Sequence, residues 1–292
     1  MTMRQVVVYI HGLVPIEPKP HLDEYQAMHE GLRSAGIDLP AFSSPDVVKV
    51  ELWWDSGIEA AETANLAAAQ NAIADALGAE IPPRDRLTAP LMRDIRETLQ
   101  FAWADAFFYT SEDGEERTRN DVWSQVLGEI TQDDDVDLTF ICHSGGTLVA
   151  HDFLFYLFSG KRDDKRKDYA DAATWAAAEE RWRIRTLVTM GSPLAPLMVR
   201  SSWLVDKFAS DSYFRLDPDL IGLGKSPHAG GQGRWLNVWD IHDILSFPVS
   251  GLYGDDDRVR DLSPDVGDWP GSVHNRYWTS VRAHRLLAEH WN

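Results

Sequence analysis

The sequence predicts an α/β fold, with a mostly parallel central sheet of about six strands and helices on both faces. Short runs rich in β-branched residues alternate along the chain with helical patterns, which is the order that parallel strands and crossover helices require. The first run, residues 6–10, is almost wholly apolar, as expected for a strand buried on both faces. With 292 residues, 44% of them hydrophobic, the chain can bury a substantial core, and we expect one domain over 1–292.

The strands and helices follow from hydrophobic spacing. We expect a helix over 22–32, because Leu22, Tyr25, Met28 and Leu32 recur at helical spacing. A closing helix is expected over 277–290, with His284 and His290 at the surface. The expected strands cover residues 6–10, 47–53, 136–142, 184–190, 235–239 and, more weakly patterned, 258–262.

Residues 55–135 are too many for one crossover helix. Ser56 and Glu59 have the spacing of a capping box, and the Ala-rich segment that follows ends near Gly78. Further helices are expected over 91–109 and 120–130, the last of which returns to the sheet. We interpret the other two as a helical insertion, either a cap over a site or an enlarged scaffold.

The charge and cysteine content narrow the class of protein. The chain carries 46 Asp and Glu against 28 Lys and Arg, a formal net charge of −18. This balance argues against a nucleic-acid binder and against docking on an anionic membrane. No apolar run is long enough for a transmembrane helix, so no stable membrane insertion is expected. Cys142 is the only cysteine. An intrachain disulfide is therefore excluded, and we expect a cytoplasmic protein.

The turn after the third strand carries the strongest chemical signal. Cys142-His143-Ser144-Gly145-Gly146 matches a G-x-S-x-G elbow with cysteine at the first glycine. Such a turn presents the Ser144 hydroxyl to a base and places the Gly145 N–H where an oxyanion is stabilised. Gly146 supplies the small downstream position. Alternatively, the small residues join strand and helix for packing alone, or Cys142 rivals Ser144; we interpret Cys142 as a buried apolar filler.

The loop after the first strand predicts a second oxyanion donor. The strand ends in His11-Gly12-Leu13, and a glycine there lets the backbone approach a site closely. We therefore expect the Leu13 N–H to be the second donor, with His11, Gly12 and, from the elbow, His143 supporting the site. The alternative is a glycine turn with an incidental histidine.

An acid and a histidine follow the nucleophile in the order that α/β hydrolases use. Asp240 and Asp243 both lie just past the fifth strand, and we prefer Asp243 because it lies further into the loop, ahead of the apolar pair 244–245. His274 lies on a loop ahead of the closing helix. We expect His274 to take the Ser144 proton and Asp243 to fix the imidazole tautomer.

These motifs occur in the order found in lipase-like α/β-hydrolases, and the chain resembles the serine esterases of that superfamily. The resemblance runs from residue 6 to the closing helix and includes 190–194 (Met-Gly-Ser-Pro-Leu) and 273–278. It implies the α/β-hydrolase fold, no metal and no organic cofactor. The sequence agrees, since it has no H-E-x-x-H, cysteine pair or P-loop. Asp255, Asp256 and Asp257, which in principle suit calcium, are interpreted as a solvated turn.

The expected function is cleavage of a small-molecule carboxylic ester through an acyl-enzyme. Aromatic residues in the smaller insertions, among them Trp175 and Trp182, suit an apolar acyl group. A thioesterase, amidase or acyltransferase would use the same three side chains. A non-catalytic scaffold on the same fold is the alternative from another class. The sequence indicates no particular partner protein.

Overall fold

A parallel sheet forms the centre of the described part of the chain. The computed structural model describes residues 4–12, 21–45, 48–52, 112–159, 172–198, 202–211, 213–224, 232–267 and 273–291. Its strands are β1 (Arg4–Ile10), β2 (Val48–Leu52), β3 (Val136–His143), β4 (Trp182–Met190), β5 (Arg234–Val238) and β6 (Val259–Leu262). They pair in the order β2-β1-β3-β4-β5-β6, every neighbour parallel. The expected α/β class and six-stranded sheet are therefore confirmed, and the sheet is wholly parallel.

Seven α-helices accompany the sheet within the described residues. They are α1 (His21–Ser34), α2 (Glu112–Glu129), α3 (Gly145–Phe158), α4 (Ala172–Arg181), α5 (Leu194–Leu197), α6 (Ser202–Ser210) and α7 (Val281–Glu289). Short 3₁₀ segments cover Pro218–Ile221, Ser250–Tyr253 and Tyr277–Thr279. The closing helix begins later than expected because the Ser280 side chain accepts a hydrogen bond from the Ala283 N–H and caps α7 there. None of these helices has the length and apolarity needed to cross a membrane.

Each face of the sheet carries its own apolar core, because successive side chains of a strand point to opposite faces. On β1, Val6, Val8 and Ile10 belong to the core that holds the buried side chains of α2, α3 and α4. Val7 and Tyr9 belong to the core formed with α1 and α7. Helices therefore cover both faces, as the sequence predicted.

Tryptophans from three segments pack together in the first of these cores. The ring of Trp123 lies 3.9 Å from that of Trp175 and 5.9 Å from that of Trp182, measured between centroids. All three residues are buried. Trp175 and Trp182, whose rings the sequence suggested for an acyl pocket, are therefore core residues that hold α2 and α4 against the sheet.

Part of the 55–135 insertion lies outside the described residues. The two helices expected over 56–78 and 91–109 belong to that part. The third helix, α2, begins at Glu112 and ends at Glu129. Its residues Val122, Trp123 and Val126 are buried in the core, so the chain returns to the sheet along this helix.

His284, on the closing helix, is buried. The expectation that it lies at the surface is therefore wrong. His284 faces α1, where a Cβ added at Gly31 would collide with its imidazole. Its Nε2 donates a hydrogen bond to the Trp278 carbonyl at 3.0 Å, so this ring nitrogen has a partner inside the protein. Burial lowers the pKa of His284, although the bond to Trp278 opposes that shift. His290, by contrast, is half-buried and accepts a hydrogen bond from Arg260.

A second buried histidine lies on α1. His29 donates from Nε2 to the Pro40 carbonyl at 2.8 Å and pairs through Nδ1 with the Tyr9 hydroxyl. Burial lowers the pKa of His29, and the bond to Pro40 partly offsets the shift. Both His29 and His284 therefore lose part of their affinity for a proton when the chain folds.

These two histidines predict a loss of stability on acidification. As the pH falls through the unfolded value of about 6.5, the unfolded chain takes up protons that folded His29 and His284 resist, which favours unfolding. We expect the free energy of unfolding to fall as the pH is lowered from 7.5 to 5.5, by at most about 1.4 kcal/mol for each histidine. Urea titrations of wild type and His284→Gln measure this dependence. The variant should show a flatter pH dependence than wild type; an unchanged dependence would contradict the contribution of His284.

Candidate active site

The candidate site lies at the carboxyl ends of the strands. The chain passes from β1 outward to β2 and then returns to the other side of β1 as β3, which creates a switch point between β1 and β3. Parallel sheets bind ligands in the crevice at such a point. His11 and Gly12 follow β1 and Ser144 follows β3. The residues singled out in these two motifs therefore flank this crevice.

Ser144 occupies a strained turn between β3 and α3. Its backbone has φ 49° and ψ −127°, a region that non-glycine residues enter at a cost of about 1–3 kcal/mol. The turn is held by the Ser144 N–H, which donates to the Met190 carbonyl at 2.9 Å. On its other side the Thr147 hydroxyl donates to the Ser144 carbonyl at 2.6 Å. The strand-to-helix turn expected from the sequence is thus present.

Two glycines allow β1 to approach this turn. A Cβ added at Gly146 would lie 2.8 Å from the Ile10 carbonyl oxygen and would also collide with that of His11. A Cβ added at Gly12 would lie 2.6 Å from the Ser144 Cβ and 3.3 Å from its Oγ. Gly146 therefore lets α3 begin directly against the end of β1, and Gly12 leaves space beside the Ser144 hydroxyl.

Three side chains from distant parts of the chain form one hydrogen-bonded chain. His274 Nε2 lies 2.8 Å from Ser144 Oγ, and His274 Nδ1 lies 3.1 and 2.9 Å from the two oxygens of Asp243. All three residues are buried. Since a carboxylate only accepts, Nδ1 carries the proton, and in the neutral ring Nε2 accepts from the Ser144 hydroxyl. The arrangement can therefore remove the hydroxyl proton.

The surroundings of Asp243 favour its charged form. Burial alone would raise the pKa of Asp243, but the charge and hydrogen bond of His274 oppose burial. The Leu245 N–H and the Tyr277 hydroxyl donate to the carboxylate at 3.1 and 2.9 Å. Together these groups outweigh burial and hold the pKa of Asp243 below its ordinary value. The carboxylate therefore remains negative beside His274.

Asp240, the alternative acid, is engaged elsewhere. One of its oxygens accepts from the His242 N–H at 2.9 Å and lies 3.1 Å from the His242 ring. The other accepts from the Val266 N–H at 2.6 Å, so that the carboxylate joins two loops. Asp240 is buried in this structural position. Of the two candidates, the structure brings Asp243 to His274.

His143 contacts the segment that carries His274. Its Nε2 donates to the His274 carbonyl at 2.6 Å, and the centroids of the two rings are 4.7 Å apart. His143 is buried, and so is His11, whose Nδ1 contacts the Gly12 carbonyl. His143 therefore contacts both the backbone and the ring of His274, whereas His11 contacts the backbone beside Ser144.

The structure describes one of the two expected oxyanion donors, Gly145, but not the other, Leu13. Gly145 is the first residue of α3. Its N–H therefore has no partner within the helix and lies at the positive end of the helix dipole, beside Ser144. Leu13 lies outside the described residues, so its role as the second donor stays a prediction.

No role was expected from the sequence for Tyr277 or Gly191. Tyr277 follows His274 by three residues, and in a helical turn this spacing places two side chains on one side, which was an available signal. Gly191 has φ +59°, and a Cβ there would lie 3.0 Å from His274 Cε1 and 3.1 Å from Tyr277 Cε2. No feature of the sequence indicated this close approach, because it depends on how β4 meets the 273–279 segment.

The remaining candidate ligands are otherwise engaged. Among the described residues, no group of three or more His, Cys, Asp or Glu side chains could hold a metal ion. In the acidic run, the Asp256 carboxylate accepts from the backbone and guanidinium of Arg258 at 2.8–2.9 Å. Cys142 is fully buried in the core, and burial raises the pKa of its thiol, which disfavours the reactive thiolate.

Comparison with known proteins assigns no family. No family model matches the chain, and no curated protein matches it. One solved structure, that of an uncharacterized protein from Pseudomonas aeruginosa, aligns with a TM-score of 0.35 and 11% sequence identity. The alignment covers 98% of this chain and 45% of that one, so this chain spans less than half the length of its neighbour.

Proposed function

We propose that this chain is a serine hydrolase of the α/β-hydrolase superfamily that cleaves a carboxylic ester through an acyl-enzyme. The observation that carries the proposal is the hydrogen-bonded chain from Ser144 Oγ through His274 to Asp243, which begins at a strained strand-to-helix turn. Serine needs a base within hydrogen-bond reach to act as a nucleophile, and that base needs a partner that fixes its tautomer.

All of these groups take part in the acylation step. Ser144 Oγ attacks the ester carbonyl carbon while its proton moves to His274 Nε2. The carbonyl π electrons move to oxygen, and the Gly145 N–H stabilises the resulting oxyanion. Collapse of this intermediate breaks the bond to the alcohol oxygen, which takes the proton from His274. The products are an alcohol and an ester of Ser144.

Deacylation repeats the sequence with water as the nucleophile. His274 takes a proton from water as the oxygen attacks the acyl carbon, and then returns the proton to Ser144 Oγ as that bond breaks. In both steps Asp243 accepts from Nδ1 and stabilises the imidazolium that forms at the transition state. The carboxylic acid leaves and the free enzyme is restored.

Burst kinetics test this proposal. When acylation is faster than deacylation, the first turnover releases alcohol in a burst equal to the number of active sites. We expect wild-type protein mixed with a short-chain p-nitrophenyl ester to release close to one nitrophenol per chain before the steady state. Failure of the wild-type protein to release alcohol from short-chain esters, or thiol from thioesters, above the uncatalysed rate would contradict the proposal.

The position of His143 predicts a graded effect on activity. His143→Leu removes the donor to the His274 carbonyl, so that the loop carrying the base is less well fixed; we expect a fall in kcat of about tenfold. His143→Gln keeps an N–H₂ that can reach the same carbonyl, and should retain most of the wild-type kcat. Steady-state ester hydrolysis by the three proteins measures this. Equal losses in both variants would mean that the ring, and not the hydrogen bond, matters.

We propose a small acyl compound as substrate, and the cytoplasm as the location. The substrate class follows from the buried Ser144 hydroxyl, which a single extended group can reach more readily than a folded polypeptide. The location rests on cysteine usage alone, since the chain has one cysteine.

A further inference from the structure

We propose that Tyr277 is a positioning residue of this site, whose hydroxyl fixes the Asp243 carboxylate in the orientation that holds His274 toward Ser144. The inference rests on the proposed function and adds to it a fourth side chain, which acts on the reaction through Asp243.

Three donors contact the two oxygens of the Asp243 carboxylate. Its side chain is 0% exposed. Oδ1 lies 3.1 Å from the Leu245 nitrogen and 3.1 Å from His274 Nδ1. Oδ2 lies 2.9 Å from the same Nδ1 and 2.9 Å from the Tyr277 hydroxyl. Each oxygen thus contacts the imidazole and one further donor, and the two further donors prevent rotation of the carboxylate about its terminal bond.

The two further donors differ in kind. The Leu245 N–H belongs to the backbone of the same loop as Asp243, so it moves with the carboxylate. Tyr277 belongs to a different segment and is fully buried. Its ring is confined by Gly191, where a Cβ would lie 3.1 Å from Cε2. The Tyr277 hydroxyl therefore joins the Asp243 loop to the segment that carries His274, in addition to the bond made by the imidazole itself.

The chain places this donor on the same short turn as the base. His274 and Tyr277 are three residues apart, and the Arg276 N–H donates to the Val273 carbonyl at 3.0 Å within that turn. Both side chains point to Asp243. One turn thus supplies both the imidazole and the hydroxyl that holds its carboxylate partner.

The chemistry predicts what the loss of this hydroxyl would do. Without it, Oδ2 is a buried carboxylate oxygen with one donor fewer, which leaves the charge less well stabilised and the carboxylate free to turn. The geometry that aligns Nε2 with Ser144 Oγ is then populated for less of the time. The less neutralised carboxylate also attracts the imidazolium proton more strongly, which moves the acidic limb of the pH–rate profile to higher pH.

The test compares Tyr277→Phe with Tyr253→Phe. Both changes delete one buried phenol hydroxyl; that of Tyr253 lies 2.6 Å from His151 Nε2 and is not part of the hydrogen-bonded chain of the site. In stopped-flow hydrolysis of a p-nitrophenyl ester, Tyr277→Phe should lower the acylation rate constant about tenfold. The substrate concentration for half-maximal rate should change less than about twofold, and Tyr253→Phe should match wild type. The burst amplitude counts folded, competent sites, so a partly unfolded variant is still measured per site.

A double-mutant cycle separates positioning through Asp243 from a general structural effect. In an Asp243→Asn background, Tyr277→Phe should cause little further loss, since the carboxylate on which it acts is gone. A loss that is equal in both backgrounds, an acidic limb that does not move, or a wild-type rate for Tyr277→Phe would overturn the inference. Wild-type protein that neither shows a burst nor hydrolyses the ester would instead refute the proposed function, so the two failures are distinguishable.

Discussion

Replacing Ser144 with alanine should lower kcat/KM for a short-chain ester by about 100,000-fold. The Ser144 hydroxyl lies 2.8 Å from His274 Nε2, within hydrogen-bond reach of the base. Without it, no acyl-enzyme can form, and only binding and oxyanion stabilisation remain to assist attack by water. The burst of alcohol should disappear completely. Steady-state and stopped-flow assays of the same preparation measure both losses.

Two further variants define the result. His274→Ala should cause a loss of similar size, and the double variant should be no worse than either single one, because nucleophile and base act as a unit. Ser124→Ala removes an exposed hydroxyl on α2 and should retain wild-type kinetics. If Ser144→Ala keeps a tenth or more of the wild-type rate, another group performs the chemistry.

Gly146→Ala is expected to destabilise the folded state by more than about 3 kcal/mol. The added Cβ would lie 2.8 Å from the Ile10 carbonyl oxygen and would collide with the His11 carbonyl. Both oxygens are backbone atoms, one in β1 and one in the loop that follows it, so neither can move aside by a change of rotamer. Relief would require α3 to move away from β1, and Ser144 with it. Chemical denaturation of the variant measures the loss of stability.

Gly128→Ala is the matched control for this change. Gly128 also lies in a helix, and a Cβ there meets nothing within 4 Å. Alanine is the better helix former by about 1 kcal/mol, so this variant should be as stable as wild type or more so. Should Gly146→Ala unfold at the same denaturant concentration as Gly128→Ala, the close approach of β1 to the Ser144 turn would be refuted.

The sequence predicted the fold because parallel strands carry an unmistakable pattern. Residues 6–10 are buried on both faces and are apolar throughout, and residues 136–142 alternate with apolar side chains at Leu138, Phe140 and Cys142. The ends of elements were less well predicted, since they depend on caps such as that of Ser280 and on tertiary contacts. The strand order, with β1 between β2 and β3, was not predicted, because spacing along the chain does not specify which strands pair.

Burial was predicted poorly where a polar residue found a partner across the fold. His284 has the sequence context of a surface histidine, yet it packs against Gly31 of α1 and donates to the Trp278 carbonyl. Trp175 and Trp182 similarly belong to the core and not to a pocket. These outcomes depend on helix–helix and helix–sheet contacts between distant segments, which a single sequence does not specify.

The three side chains of the candidate site were easier to predict than the residues that hold them in place. Ser144, Asp243 and His274 were chosen from their order and from their positions after strands, and the structure brings the three side chains together. The choice of Asp243 over Asp240 rested on loop position, whereas the structural distinction is that Asp240 binds the Val266 N–H. The spacing of Tyr277 from His274 was a signal that was not used, and the contact of its hydroxyl with Asp243 depends on the folded arrangement.

The most direct test of the account is to identify the residue that a fluorophosphonate modifies. Such a probe forms a stable bond only with a serine whose proton is removed by a neighbouring base and whose product is stabilised by the site. Peptide mapping of the labelled wild-type protein by mass spectrometry should place one phosphonate per chain on Ser144, with no adduct after prior denaturation or in His274→Ala. An unlabelled native protein, or an adduct on any other residue, would contradict the assignment of Ser144 as the nucleophile.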